Sequence, residues 1–101
     1  MVLKMDNTIL NNKLWEWLDI EPQGDLTTDL SLCFKHLVPA WNTRARPLAE
    51  WIHSITFCFM EGDLVRCVIQ QFDTDTDVWA DAKIEAHSLC LAFEKLIDIT
   101  P

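Results

Sequence analysis

Hydrophobic residues recur at helical spacing in the first part of the chain. The positions on this stripe are Leu10, Leu14, Trp17 and Leu18. They predict an amphipathic helix capped by Asn7, with Trp15 off the stripe. Pro22 and Gly24 then indicate a loop.

A second helical stripe follows this loop. It is formed by Leu30, Cys33, Phe34 and Leu37. Thr27 or Thr28 would cap this helix, and Pro39 would end it. We expect residues 42–47 to form an exposed loop that carries Arg44 and Arg46.

The period then changes to that of strands. Residues 51–60 and 64–72 are rich in β-branched and aromatic side chains, and residues 78–84 alternate as a third strand. Short connections, including a tight turn at 61–63, predict an antiparallel meander.

Helical spacing returns from Glu85 to Ile97. Ala86, Leu89, Cys90 and Phe93 lie on its apolar face. The sequence therefore predicts a single α+β domain over residues 1–101, with about three helices packed on a three-stranded antiparallel sheet in the order α-α-β-β-β-α. Both sheet faces look partly apolar, so helices on one or both faces would give a small sandwich.

Composition narrows the possible functions. The chain of 101 residues holds 8 basic and 16 acidic residues, a net charge of −8 that repels nucleic-acid backbones. No apolar run approaches bilayer length, and no signal peptide is recognisable, so we expect a soluble, intracellular protein without membrane contact.

The chain resembles the phage ABA sandwich domain, a family of small phage and prophage proteins. The matching segments run from Asp25 to Leu37, with an acidic-Leu-Thr-Thr-Asp opening, and from Ala80 to Ile97, an Ala-rich helix. The resemblance spans about residues 10–98, although Leu26 stands where members often have Tyr. It implies the sandwich fold and a phage origin, and it carries no catalytic motif.

The alternating acids Asp73, Asp75 and Asp77 invite a calcium interpretation. A calcium-binding loop of the helix–loop–helix type needs Gly at its sixth position and an acid at its twelfth. Counted from Asp73, these positions hold Val78 and Ile84. An acidic turn between the second and third strands is therefore favoured over a metal site.

Cysteine and histidine offer a second candidate metal site. Cys33 with His36, and His87 with Cys90, are each spaced by three residues on a predicted helix, so two helices could assemble a zinc site. The alternative is that these thiols belong to the core and the histidines lie at its edge. Because all four Cys lie in apolar runs, we expect core thiols rather than disulfides, and we predict no metal or cofactor.

Catalysis and phosphate binding find little support. Cysteine and histidine pairs arise readily by chance in this chain, and only 2 Gly are present to build phosphate-cradling loops. We therefore predict that the protein is not an enzyme.

The acids, tryptophans and arginines define a candidate partner-binding surface. Its residues are Glu61, Asp63, Asp73, Asp75, Asp77, Trp79, Trp41, Arg44 and Arg46, and the acidic part would also include Asp81. Trp and Arg are favoured in interfaces, although large aromatics can equally close the edge of a small core. The turn at 61–63 and the turn at 73–77 should lie at opposite ends of the second strand, so the acids could form two patches, and the alternative of a single patch stays open.

Together these features favour a non-enzymatic phage or prophage protein that occupies a host protein in the host cytoplasm. The most concrete version is an anti-CRISPR-like inhibitor of host antiviral defence. Its acidic, Trp-containing surface would dock on the basic nucleic-acid channel of a defence complex such as an RNA-guided nuclease. The alternatives are a module that sequesters a nucleotide-like signal beside Trp and Arg44 or Arg46, and a phage structural or assembly accessory protein. A homodimer stays open.

Overall fold

The computed structural model describes residues 2–44, 52–71 and 77–99, with the backbone alone for residues 2–6 and 99. Its helical segments are α1 (Val2–Leu18), α2 (Leu30–Leu32), a π-helical segment (Cys33–Leu37), α3 (Val38–Arg44) and α4 (Glu85–Ile99). Its strands are β1 (Ile52–Met60), β2 (Leu64–Gln71) and β3 (Val78–Ala82). α2, the π-helical segment and α3 follow one another without a break and together form one helix, which we call the second helix. The predicted order α-α-β-β-β-α is therefore confirmed.

Helix α1 begins earlier than predicted, at Val2, so Asn7 is not its cap. Leu10, Leu14 and Leu18 are buried, as their spacing predicts. Trp15 is also buried, at 1% exposure. Its indole Nε1 donates to the backbone carbonyl of Gly24 at 2.9 Å, which allows a side chain off the apolar stripe to enter the core.

The segment after α1 is held by side-chain hydrogen bonds. Gly24 has a φ of +152°, and a Cβ there would meet Leu32 Cδ1 at 2.7 Å, so this position requires glycine. The Asp25 carboxylate accepts from both the backbone N–H and the hydroxyl of Thr27. The cap of the second helix is Asp29, whose carboxylate accepts from Leu32 N–H, so the prediction of Thr27 or Thr28 was wrong.

The second helix contains a π-helical turn and passes through Pro39. Proline has no N–H that could bond the carbonyl of Lys35. The π-helical turn, which is wider than an α-helical turn, lies just before Pro39. The prediction that Pro39 ends the helix was therefore wrong. The π-helical turn also changes which residues face inward: Cys33, Leu37 and Trp41 are buried, whereas Phe34 is 43% exposed.

The sheet has the strand order β1-β2-β3, with both pairs antiparallel, which confirms the meander. Ile55, Phe57 and Phe59 of β1 lie opposite Ile69, Cys67 and Val65 of β2. These positions share one face of the sheet, because opposite residues of an antiparallel pair project to the same side.

This face packs against the helices. The core joins Cys67, Ile69 and Ala80 of the sheet to Cys90 and Phe93 of α4. The chain therefore has a small α+β fold, in which one layer of described helices packs on this face of the sheet. Within the described ranges, no helix is long and apolar enough to cross a membrane.

Candidate protein interface on the open sheet face

The second face of the sheet carries a mixed surface. In β2, buried Val65 and Cys67 alternate with Arg66 and Val68, which are only partly buried. The register places two rows of side chains on this face: Thr56, Val68 and Trp79 in one, and Cys58, Arg66 and Asp81 in the other. We call these six residues the open sheet face, because none of the described helices packs over it.

Trp79 is held in place while nearly half of its surface stays exposed. It is 45% exposed, and the guanidinium carbon of Arg66 lies 4.0 Å from the centre of its ring. Lys95 of α4 places Nζ 5.1 Å from the same ring and donates to the Trp79 carbonyl at 2.8 Å. Because these cation–π contacts restrict the indole before any partner arrives, Trp79 suits an interface anchor.

Arg66 also forms a two-pronged ion pair with Asp81. Its Nε and Nη2 donate to the two carboxylate oxygens at 2.8 and 3.1 Å. These hydrogen bonds lower the pKa of Asp81 and raise that of Arg66. The sequence suggested that Asp81 is a free acid of the surface. The structure shows instead that its charge is neutralised by Arg66.

The exposed acids of the predicted partner-binding surface lie at the two ends of the open sheet face. Glu61 and Asp63 occupy the β1–β2 turn, and Asp77 directly precedes β3. The ends of β2 are separated by its 8 residues, about 25 Å at roughly 3.3 Å per residue. Glu61 and Asp63 therefore form an acidic patch at one end, and Asp77 lies at the other end. Asp73 and Asp75 lie outside the described residues, and among the residues that are described no cation pairs with Glu61, Asp63 or Asp77.

Trp41 belongs to the core rather than to the surface. It is 5% exposed, stacks on Trp17 with ring centres 6.2 Å apart, and meets Phe93 edge-on at 5.9 Å. Leu37 ends the π-helical segment, and Trp41 follows it by four residues in α3, so the two side chains lie on the same buried side of the helix. Its assignment to a partner surface was therefore wrong.

Arg44 ends α3 instead of lying in a loop. Its guanidinium donates to the backbone carbonyls of Trp17 and Leu18 at the end of α1, and its Cζ lies 4.2 Å from the Trp17 ring. Free carbonyls at a helix C-terminus attract such a cation. Arg44 thus links two helices, whereas Arg46 lies outside the described residues.

Three of the four cysteines are buried together. The thiols of Cys33 and Cys90 lie within hydrogen-bonding distance of the Leu26 carbonyl, at 3.1 and 3.2 Å, and of each other, with their sulfurs 3.7 Å apart. The hydrogen bond with Cys33 and burial raise the pKa of Cys90, and burial raises the pKa of Cys67 to about 12. Cys58 is exposed, so the core-thiol prediction was wrong there.

The two histidines of the candidate zinc site, His36 and His87, do not complete a metal site with Cys33 and Cys90 in the described part of the chain. His36 packs edge-on against Trp15, with ring centres 5.2 Å apart. Burial lowers the pKa of His87. In the part of the chain that the structure describes, no three His, Cys, Asp or Glu side chains form a group that could hold a metal ion.

The groove of about 690 Å³ that contains Trp15 gives little support to a nucleotide-like ligand. Glu16, Asp19 and Glu21 also line it. These carboxylates would repel a phosphate. Arg44, the cation expected beside such a ligand, contacts α1 instead.

Comparisons with protein-family models, curated proteins and solved structures gave no significant match. The interpretation of the open sheet face therefore rests on its own geometry.

Two cations of this surface were missed by sequence reasoning. The opposition of Arg66 and Asp81 follows from the meander register, so a signal was present once the turn lengths were known. Lys95 gave no such signal, because only the packing angle of α4 brings it to the edge of β3.

Proposed function

We propose that the protein is a non-enzymatic binding protein that inhibits a host target through the open sheet face. The observation that carries this proposal is Trp79, an exposed aromatic side chain held rigid by Arg66 and Lys95. Rigid, exposed Trp side chains beside Arg are typical of the residues that dominate binding energy in interfaces.

The charge distribution supports a basic partner. Glu61 and Asp63 at one end, and Asp77 at the other, would contact cations flanking a pocket that accepts the indole. A net charge of −8 speeds association with such a partner at low ionic strength.

The concrete version is a phage or prophage inhibitor of host antiviral defence that acts in the host cytoplasm. The support for phage origin is the resemblance of residues 25–37 and 80–97 to the phage ABA sandwich domain. A nucleic-acid-binding defence complex, such as an RNA-guided nuclease, has the basic channel that this charge pattern suits.

A plaquing assay tests the proposal. Bacteria with an active RNA-guided defence system are challenged with a targeted phage while they express the protein or a variant. We expect the wild-type protein to restore plaques, and we expect Trp79→Ala to lose this effect because it removes the interface anchor. Purified protein should bind the defence complex, with Trp79→Ala weakening binding by about tenfold or more.

Phe34→Ala is the matched control, since Phe34 is a similarly exposed aromatic residue on the second helix. This variant should retain activity. A second test reverses the charges of Asp73, Asp75 and Asp77, which should weaken binding most at low salt. Failure of the wild-type protein to restore plaques or bind the complex, or equal activity of Trp79→Ala and wild type, would rule out this mechanism.

A further inference from the structure

From Ser54 to Met60, no strand pairs with the outer edge of β1 in the described part of the chain. β1 is 9 residues long and lies at the edge of the sheet, where only its inner side pairs with β2. An edge strand presents unpaired N–H and C=O groups that can hydrogen-bond to another strand. A β-bulge, a feature that hinders edge pairing, occurs only at the start of β1, between Ile52 and Ser54.

The residues of β1 also lack the usual protection against pairing. Ile52–Met60 contains no Asp, Glu, Lys or Arg, in a chain of which 24% is charged. Charged side chains normally protect exposed edges. The opposite edge strand differs: β3 carries Asp81, and Lys95 already donates to the Trp79 carbonyl.

The apolar layer under β1 is only partly covered. Helix α4 packs over β2 and β3, and Ile55 and Phe57 are packed at the margin of the core. Phe59 lies on the same face but is 79% exposed. An isolated chain thus leaves a large aromatic side chain in water beside an open strand edge.

We propose that two copies of the chain pair through β1, antiparallel across a two-fold axis, and join their sheets into one. A second copy fits because the axis makes the interface self-complementary. Two chains of net charge −8 repel each other. Pairing through β1 keeps this repulsion small, because β1 contains no Asp, Glu, Lys or Arg that would be brought close to a like charge.

The pairing also gives the apolar side chains partners. With Thr56 on the axis, Ile55 of one copy lies opposite Phe57 of the other, on the helix side of the sheet. Phe59 then lies beside the start of the second copy's β1, where Asn42 of α3 accepts from the Ile52 N–H. With the axis perpendicular to the sheet, both open sheet faces lie on the same side and stay accessible.

Sedimentation velocity of the purified chain over a concentration series tests this proposal. We expect wild type to sediment with twice the mass of the 11.7 kDa chain. Phe59→Lys should raise the dimer dissociation constant by about tenfold or more, because each copy would place a charge in the apolar interface. Its far-UV circular dichroism should stay unchanged, since Phe59 is exposed in the single chain.

Phe34→Lys is the matched control and should remain dimeric, because Phe34 lies on the second helix. Amide hydrogen exchange adds a backbone measurement: amides from Ser54 to Met60 should exchange more slowly in the wild-type dimer than in Phe59→Lys. A monomeric wild type, or a dimer that Phe59→Lys leaves unchanged, would refute the pairing. Neither assay includes a host protein, so each result is independent of the inhibitor proposal.

Discussion

Four cysteines in similar apolar sequence contexts have different surroundings. Cys33, Cys67 and Cys90 are buried between the sheet and two helices, whereas Cys58 lies on the open sheet face opposite Arg66. Strand alternation explains the difference: Phe57 faces the helices, so its neighbour Cys58 faces away.

Thiol reactivity should follow this arrangement. With an aromatic disulfide reagent at pH 8, we expect one thiol of the native chain to react quickly and the others only as the protein opens. The reactive species is the thiolate, and the raised pKa values of Cys67 and Cys90 keep these thiols protonated at that pH. The release of the coloured thiol product, measured by absorbance, counts the reactive groups.

Cys58→Ser should remove the fast phase, and Cys67→Ser should leave it intact. Fast reaction of two or more thiols in the folded protein would contradict the buried arrangement of Cys33, Cys67 and Cys90.

At the scale of elements, the second helix shows how a local irregularity redirects side chains. The π-helical turn before Pro39 sets the four-residue spacing that buries Leu37 and Trp41 and exposes Phe34. It also lets the helix continue to Arg44, which reaches the carbonyls that end α1. The contact between these two helices therefore depends on a helix that the proline does not interrupt.

Arg44→Ala should destabilise the fold by about 1 kcal/mol. It removes the hydrogen bonds to the end of α1 and the cation–π contact with Trp17. Urea unfolding followed by circular dichroism measures the change in the free energy of unfolding. Lys35→Ala, which removes another exposed cation from the same helix, is the control and should change stability by less than about 0.5 kcal/mol. Equal effects of the two substitutions would show that Arg44 contributes only its charge.

At the scale of the whole molecule, three aromatic side chains join the helices. Phe93 of α4 is fully buried and contacts Trp17 of α1 and Trp41 of α3, with ring centres 5.4 and 5.9 Å apart. Lys13 adds an exposed link by donating to Glu94 and Asp98 of α4. Because such surface ion pairs contribute little, the aromatic cluster carries most of the contact between these helices.

Phe93→Ala should cost about 3–5 kcal/mol, a large part of the 5–15 kcal/mol typical of the total stability of a protein. We expect loss of the near-ultraviolet circular dichroism signal of the tryptophans and a lower urea midpoint. Phe93→Leu should cost less, about 1.5 kcal/mol, because most of the buried volume is retained. Phe34→Ala, at an exposed position, should change stability little, and an equal loss for the two alanine variants would contradict the burial pattern.

Much of the fold was predictable because hydrophobic periodicity reports which face of an element is buried. The spacing of Leu10, Leu14 and Leu18 predicted α1, and the β-branched and aromatic content of residues 51–60 and 64–72 predicted β1 and β2. The candidate site was less predictable. Asp77 and Trp79 were identified as exposed residues, but Trp41 was placed on the wrong side, since its orientation depends on the π-helical turn.

By itself, the sequence determined the order of the elements and the antiparallel meander. These properties depend on local periodicity and on short connections. Only the tertiary structure decided that Asp81 is paired with Arg66, that Arg44 donates to the carbonyls at the end of α1 and that Lys95 reaches Trp79. Such contacts join residues far apart in the chain, and their formation depends on packing angles that no local pattern encodes.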